Sequence, residues 1–313
     1  MRSRLFRRSI LRRIRRVLAG DFRVVLILLG ALLALIAGLR AGMGGATRPS
    51  VAPLVRPTPS RFPPDPGFQS GISIGPQEVR SALFRALEHG RPIYCGGGRQ
   101  PVVALTFDDG PGPRTDEVLR ILGREEVPAT FFFLGERVSS PFGVDLVDRV
   151  GPLNAIANHG WSHRSLRRLR PKVRRAEIVR SQRAIERITT SVRLFRPPYG
   201  HRDGRLGRML NELGLVEVLW NAEVGDDRRT TTRKVLARAR RQLRPGAIVV
   251  MHERPETIAA LPGIIAEIRK RGFQPVTVPE LLALDPPSAE QLAKGQCRTQ
   301  AGLAPPEIGG SRP

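Results

Sequence analysis

Val102-Val-Ala-Leu-Thr-Phe-Asp-Asp-Gly-Pro111 decides how this chain is read. Its first four residues are apolar and β-prone, and Gly110-Pro111 stops any regular structure. The run predicts a buried strand that delivers two carboxylates, Asp108 and Asp109, to its C-terminal tip. Neighbouring carboxylates repel, so at such a place they imply a cation, a shared proton or solvent exposure. An Asp-Asp-Gly turn in water is the plainer alternative, since Asp and Gly are common turn formers.

Further along the chain, apolar runs alternate with helix-like segments. The runs are 102–107, 130–134, 154–157, 192–195, 216–220, 247–251 and 275–278. Between them lie amphipathic stretches at 115–125, 172–189, 204–213, 231–243 and 256–271, with Pro171 and Pro245-Gly246 at helix boundaries. Seven strand candidates with helices between them predict an α/β fold, a parallel barrel or sheet.

Functional groups of parallel α/β folds sit at the C-terminal strand ends. The ends read Asp108-Asp109, Asn158-His-Gly-Trp-Ser-His163, Arg196-Pro-Pro-Tyr-Gly200, Trp220-Asn-Ala-Glu-Val-Gly-Asp226 and His252-Glu253. Three of the five histidines fall on these ends, which favours a site over a solvated turn.

His159 and His163 are four residues apart, and a helical turn after the strand would put both imidazoles on one face. With Asp109 they make a two-His, one-carboxylate set of the kind that holds a divalent ion, zinc first. Such a set acidifies a water, from which Asp108 can take the proton during attack on a carbonyl. His252 can protonate the departing group, with Asp226 or Glu223 keeping it charged. Arg196 can orient Asp108, and Pro197-Pro198 fixes the backbone beside Tyr199, whose N–H can face an oxyanion. These parts describe metal-assisted hydrolysis of an amide or ester.

The same residues give the chain a close resemblance to the polysaccharide deacetylase family, carbohydrate esterase family 4. Five motifs match in order between Pro101 and Pro279. By that resemblance Asp108 in Thr106-Phe-Asp-Asp109 is the general base and Asp109 a metal ligand. His159-Gly-Trp-Ser-His163 carries the two His ligands, with Gly160 where the family usually has Ser or Thr, so that one supporting hydrogen bond is expected to be missing. Arg196-Pro-Pro-Tyr199 supplies the Arg on the base and the Tyr199 N–H of the oxyanion hole. Glu223-Val-Gly-Asp226-Asp227 stands for Asp-x-x-Asp-Trp, keeping the tuning Asp as Asp226 and replacing the pocket Trp with Asp227. Val250-Met-His252 stands for Leu-x-His and keeps the acid His. The resemblance implies a distorted (β/α) barrel of about seven strands. The implied enzyme is a metal-dependent hydrolase acting on C–N bonds other than peptide bonds. It would remove N-acetyl groups from N-acetylglucosamine-type residues of peptidoglycan, a chitin-like polymer or poly-N-acetylglucosamine. The departures at Gly160 and Asp227 motivate a second reading, a catalytically impaired member of the fold that binds glycan.

The rest of the chain sets the context. Lys and Arg number 52 against 28 Asp and Glu, a net charge of +24, of which residues 1–40 hold +9. Residues 1–23 carry nine Arg, and 24–39 carry no charge. This predicts a basic cytoplasmic segment (1–23) and a membrane anchor or signal (24–45), with the domain outside the cytoplasm. A Pro-rich linker and short helix (46–91), the catalytic domain (92–285) and a flexible Pro- and Gly-rich tail (286–313) follow. In an oxidising compartment Cys95 and Cys297 can pair across the domain; two free thiols are the alternative. Residues 164–193 hold eleven Lys or Arg against Glu177 and Glu186. Export and the lack of any nucleic-acid motif exclude a nucleic-acid partner. A solvated helix face, or attraction to anionic cell-wall polymer or lipid head groups, accounts for the charge.

Overall fold

The computed structural model describes residues 74–189, 193–226, 229–295 and 297. The expected membrane segment, Asp227 and the tail beyond Cys297 lie outside these residues. Among the described residues no helix is long and apolar enough to cross a membrane.

A helix, α1 (Pro76–His89), precedes the first strand, β1 (Val102–Asp108). Then come α2 (Thr115–Arg124), β2 (Thr130–Phe133), α3 (Gly135–Val138), α4 (Pro141–Arg149) and β3 (Ala155–Asn158). After the loop that holds both histidines follow α5 (Pro171–Glu186), β4 (Leu194–Phe195), α6 (Gly204–Glu212) and the short strands β5 (Val216–Glu217) and β6 (Ala222–Glu223). The chain continues with α7 (Thr232–Gln242), β7 (Ile248–His252), α8 (Pro255–Lys270), β8 (Gln274–Val276), α9 (Val278–Leu284) and α10 (Ala289–Lys294). Every ladder is parallel, as the alternation of strands and helices predicts.

The sheet order is β5-β4-β3-β2-β1-β7-β6, with β8 pairing the first half of β1. β5 and β6 are the two edges, yet only residues 218–221 separate them. Five chain steps reach at most about 18 Å. Seven strands laid flat would put the edges about 29 Å apart. The sheet therefore curls until its edges nearly meet, which makes it the expected distorted barrel. β6 was missed in the sequence because two residues are too short to show a period; the run 216–220 reads as one strand but breaks after Glu217.

β1 is buried on both faces, and its side chains alternate. Val103, Leu105 and Phe107 join the core beneath α2, α7 and α8. Val102 and Ala104 point the other way, to the core closed by α1 and α9. The period of two therefore puts Thr106 and Asp108 on that inner side as well. Cys95 and Cys297 are joined in a disulfide, the first of the two alternatives the sequence offers. One difference from the sequence reading lies at the C-terminal end. The stretch after Asp285 is not irregular throughout: α10 starts in a capping box at Ser288, buries Leu292 and ends at Gly295 with φ 60°.

Candidate active site

Arg196, just after β4, is wholly buried and crosses the barrel interior. Its Nη1 donates to Asp108 Oδ1 and to Thr106 Oγ1, both at 2.7 Å. Its Nη2 and Nε donate to the carbonyls of Leu219 and Val218, and its plane lies 3.9 Å from the Phe132 ring. Burial pulls the guanidinium pKa down and Asp108 opposes this. Arginine stays protonated in proteins, so the buried ion pair is compensated. Asp108 is thereby oriented as the sequence predicts.

Asp109 follows in the left-handed region, φ 70°, which turns its carboxylate away from the inward line of β1. Three contacts absent from the sequence reading hold this turn. Arg137 donates to the Asp109 carbonyl. Leu134 N–H donates to the Gly110 carbonyl. Gly112 N–H donates to Thr115 Oγ1, which in turn donates to the Glu253 carboxylate at 2.7 Å. Burial raises the Glu253 pKa to about 7, against the pull of Thr115 and Arg137. Glu253 stood beside His252 at a strand end and was visible there; no local pattern marks Arg137 or Thr115.

The two histidines do meet, but no helix brings them together. Residues 159–165 form a loop in which Gly160 (φ 84°) and His163 (φ 58°) are left-handed. His159 is buried, and its Nδ1 lies 2.8 Å from the Arg196 carbonyl. A carbonyl only accepts, so the proton sits on Nδ1 and the Nε2 lone pair is free. That Nε2 lies 3.4 Å from Asp109 Oδ1, and His163 Nε2 lies 3.0 Å from the same oxygen. The support expected from a residue at 160 comes from elsewhere. Gly160 N–H donates to Asn158 Oδ1, Gly135 N–H donates to the Gly160 carbonyl, and Ser162 bonds Glu177.

Asp109 Oδ1 is buried and has no hydrogen-bond partner. A bare carboxylate oxygen beside the Nε2 atoms of two imidazoles is the donor set of a divalent ion. The ligand atoms of Asp109, His159 and His163 all lie within 4.8 Å of one another, which fits one.

On the opposite side His252, at the end of β7, is clamped by Asp226. Nδ1 lies 2.9 Å from Asp226 Oδ1, and its backbone N–H donates to Oδ2 at 2.6 Å. Thr257 Oγ1 donates to that Oδ2 as well. Burial disfavours the imidazolium, but Asp226, helped by Asp108 and Asp109, prevails and lifts its pKa to about 9. The same bonds lower the Asp226 pKa against burial. Glu223, the other candidate, is exposed on β6 and takes no part. Tyr199 is left-handed (φ 61°) and 53% exposed, its ring centroid 4.4 Å from that of His163 in an edge-on arrangement. Three of the four left-handed non-glycine residues described thus stand at one site.

Known proteins carry the same framework. A profile of the family described as polysaccharide deacetylase matches residues 96–218. A peptidoglycan-N-acetylglucosamine deacetylase of Bacillus cereus is 31% identical over 191 residues, 58% of this chain and 89% of that protein. The chain belongs to the polysaccharide deacetylase family. Membership places it among enzymes that act on N-acetyl groups of polysaccharides. The peptidoglycan-N-acetylmuramic acid deacetylase PdaC of Bacillus subtilis is 34% identical over 185 residues, 58% of this chain but only 39% of PdaC. Among solved structures, a family pseudoenzyme of Bacillus anthracis, BA3943, superposes with a TM-score of 0.58 at 27% identity, covering 63% of this chain and 70% of that one.

Proposed function

We propose that this deacetylase removes N-acetyl groups from N-acetylglucosamine-type residues of an extracytoplasmic polysaccharide. The observation that carries the reading is the joint geometry of two separate tools on one barrel mouth. One is a metal-type cluster of Asp109, His159 and His163. The other is a proton-handling pair on either side of it, Asp108 under Arg196 and His252 under Asp226.

A divalent ion, zinc first, supplies Lewis acidity and acidifies a water when bound to this set. The chain's own groups do the rest. Asp108, its Oδ1 already held by Arg196, accepts the proton of the attacking water. The Tyr199 backbone N–H serves the oxygen that gains charge at the acetyl carbon. His252 is charged up to about pH 9, so it can hand a proton to the departing nitrogen. The glucosamine and the muramic acid of peptidoglycan are acted on by the Bacillus relatives; both remain candidates here, with chitin-like polymers beside them.

The test is acetate release by the full-length chain from peptidoglycan, chitin oligomers and poly-N-acetylglucosamine, with zinc and with chelator. Release from at least one glycan, abolished by chelator and restored by zinc, is expected. Tight glycan binding without acetate from any of them would assign the chain to the glycan-binding reading instead.

The location belongs to the same proposal. The basic segment 1–23 before the uncharged run 24–39 favours a cytoplasmic N-terminus and an external domain, and the disulfide fits an oxidising compartment. A reporter fused after Gly45 that works only in the cytoplasm would contradict it.

A further inference from the structure

The charge around the site is lopsided. Asp108, Asp109, Asp226 and Glu253 gather toward β1, β6 and β7. The opposite flank, residues 159–217, is rich in arginine, and every acid on it is already engaged. Glu177 holds Ser162, Glu186 holds Arg193, Asp203 holds Arg174, Glu212 holds Arg175 and Glu217 holds Arg202. Arg164, Arg167 and Arg168 are exposed, and no ion pair among the described residues involves them. Their position is tied to the centre by a chain of contacts. Arg164 follows the ligand His163 directly. Arg167 and Arg168 lie on a short 3-10 turn (Leu166–Arg168) and press their charge on His201. The His201 ring lies 5.3 Å from Tyr199, whose edge meets His163. A polymer that reaches the centre along this flank passes over these three arginines.

We propose that Arg164, Arg167 and Arg168 form an anion-binding rim that selects N-acetylated glycans bearing carboxylate groups over neutral ones. The inference rests on the deacetylase reading and adds the charge class of the substrate. Arginine on a rim pairs with carboxylates through fork-like N–H groups and steers them before contact. A lipid surface is the less favoured occupant, because these charges border the catalytic mouth where the sugar chain has to lie.

The experiment compares one glycan in two charge states. N-acetylated peptidoglycan strands are used with free stem carboxylates, and after the carboxylates are amidated with ethanolamine. Full-length wild type and Arg167→Gln/Arg168→Gln are assayed for acetate release, and cosedimentation with the insoluble glycan is read separately. The expected result is a KM about tenfold higher for the double variant on the free-carboxylate glycan, with kcat unchanged. No difference is expected on the amidated glycan, and Arg167→Lys/Arg168→Lys should recover part of the loss. The wild-type preference should fade with salt, since the Debye length is about 10 Å at 0.1 M. Equal losses on both glycans, or cosedimentation indifferent to amidation, would overturn the rim. So would stronger binding to vesicles of anionic lipid than to the carboxylated glycan. If wild type releases no acetate, the deacetylase reading fails, and cosedimentation still decides the charge preference.

Discussion

Asp108 and Asp109 are adjacent in sequence and differ in every physical respect that bears on their work. Asp108 continues the inward alternation of β1 and receives Arg196; Asp109 breaks it through a left-handed backbone and faces two imidazoles. Asp108→Asn is therefore expected to keep the metal and lose two to four decades of turnover, the usual scale for removing a general base. Asp109→Ala and His159→Ala should instead lose the metal, as read by elemental analysis of the purified chain. Turnover of Asp108→Asn equal to wild type would place the base elsewhere. The acid has its own signature. His252 acts only while protonated, and Asp226 keeps it so up to about pH 9. In Asp226→Asn the main raising influence is gone, and only the smaller ones of Asp108 and Asp109 stay. The alkaline limb of the rate profile should then move down from about 9 toward the ordinary value of about 6.5. An unmoved limb would mean that His252 is not the proton donor.

At the scale of elements, the loop 159–165 carries the centre although it has no regular structure. Asn158, Gly135 and the Ser162–Glu177 pair hold it, so Gly160 needs no side chain for support. Its φ of 84° suits glycine, and an added Cβ would meet nothing nearer than 3.8 Å, at Pro198. Gly160→Ser is thus expected to destabilise by about 1–2 kcal/mol through backbone conformation alone, without a clash. Urea denaturation gives the measurement; an unchanged or raised midpoint would show that the loop adopts a different backbone with Ser. The turn 109–115 is held in a comparable way, by Arg137 of α3, Thr115 at the start of α2 and Glu253 in the loop after β7.

Over the whole molecule, the two ends of the barrel domain meet. Gly97 N–H donates to the Asp285 carbonyl, Arg99 N–H to the Asp285 carboxylate, and Cys95 bonds Cys297 across 202 residues of sequence. A loop of that length lends about 5 kcal/mol in the chain-entropy view of cross-links. Cys95→Ser with Cys297→Ser should lower thermal stability clearly while leaving the metal set, which lies at the strand ends, able to form. A double variant as stable as wild type would show that the hydrogen bonds at Gly97 and Arg99 already close the domain. Much of this architecture was legible in the chain alone. Alternating apolar and amphipathic runs gave seven of the eight strands and the parallel class, because period and length are local properties. The strand-end residues gave the site, because parallel folds gather their C-terminal ends at one mouth. Tertiary structure alone decided the rest. β6 became a strand because β7 offered an edge to a two-residue segment. His159 and His163 converged through left-handed turns that no side-chain pattern announces. Asp226 rather than Glu223 reached His252, since Glu223 is exposed on β6 while the chain beyond that strand carries Asp226 inward to the end of β7. Arg196 became the axis of the site because a curled sheet brings Asp108 and the Leu219 carbonyl, 111 residues apart in sequence, within reach of one guanidinium.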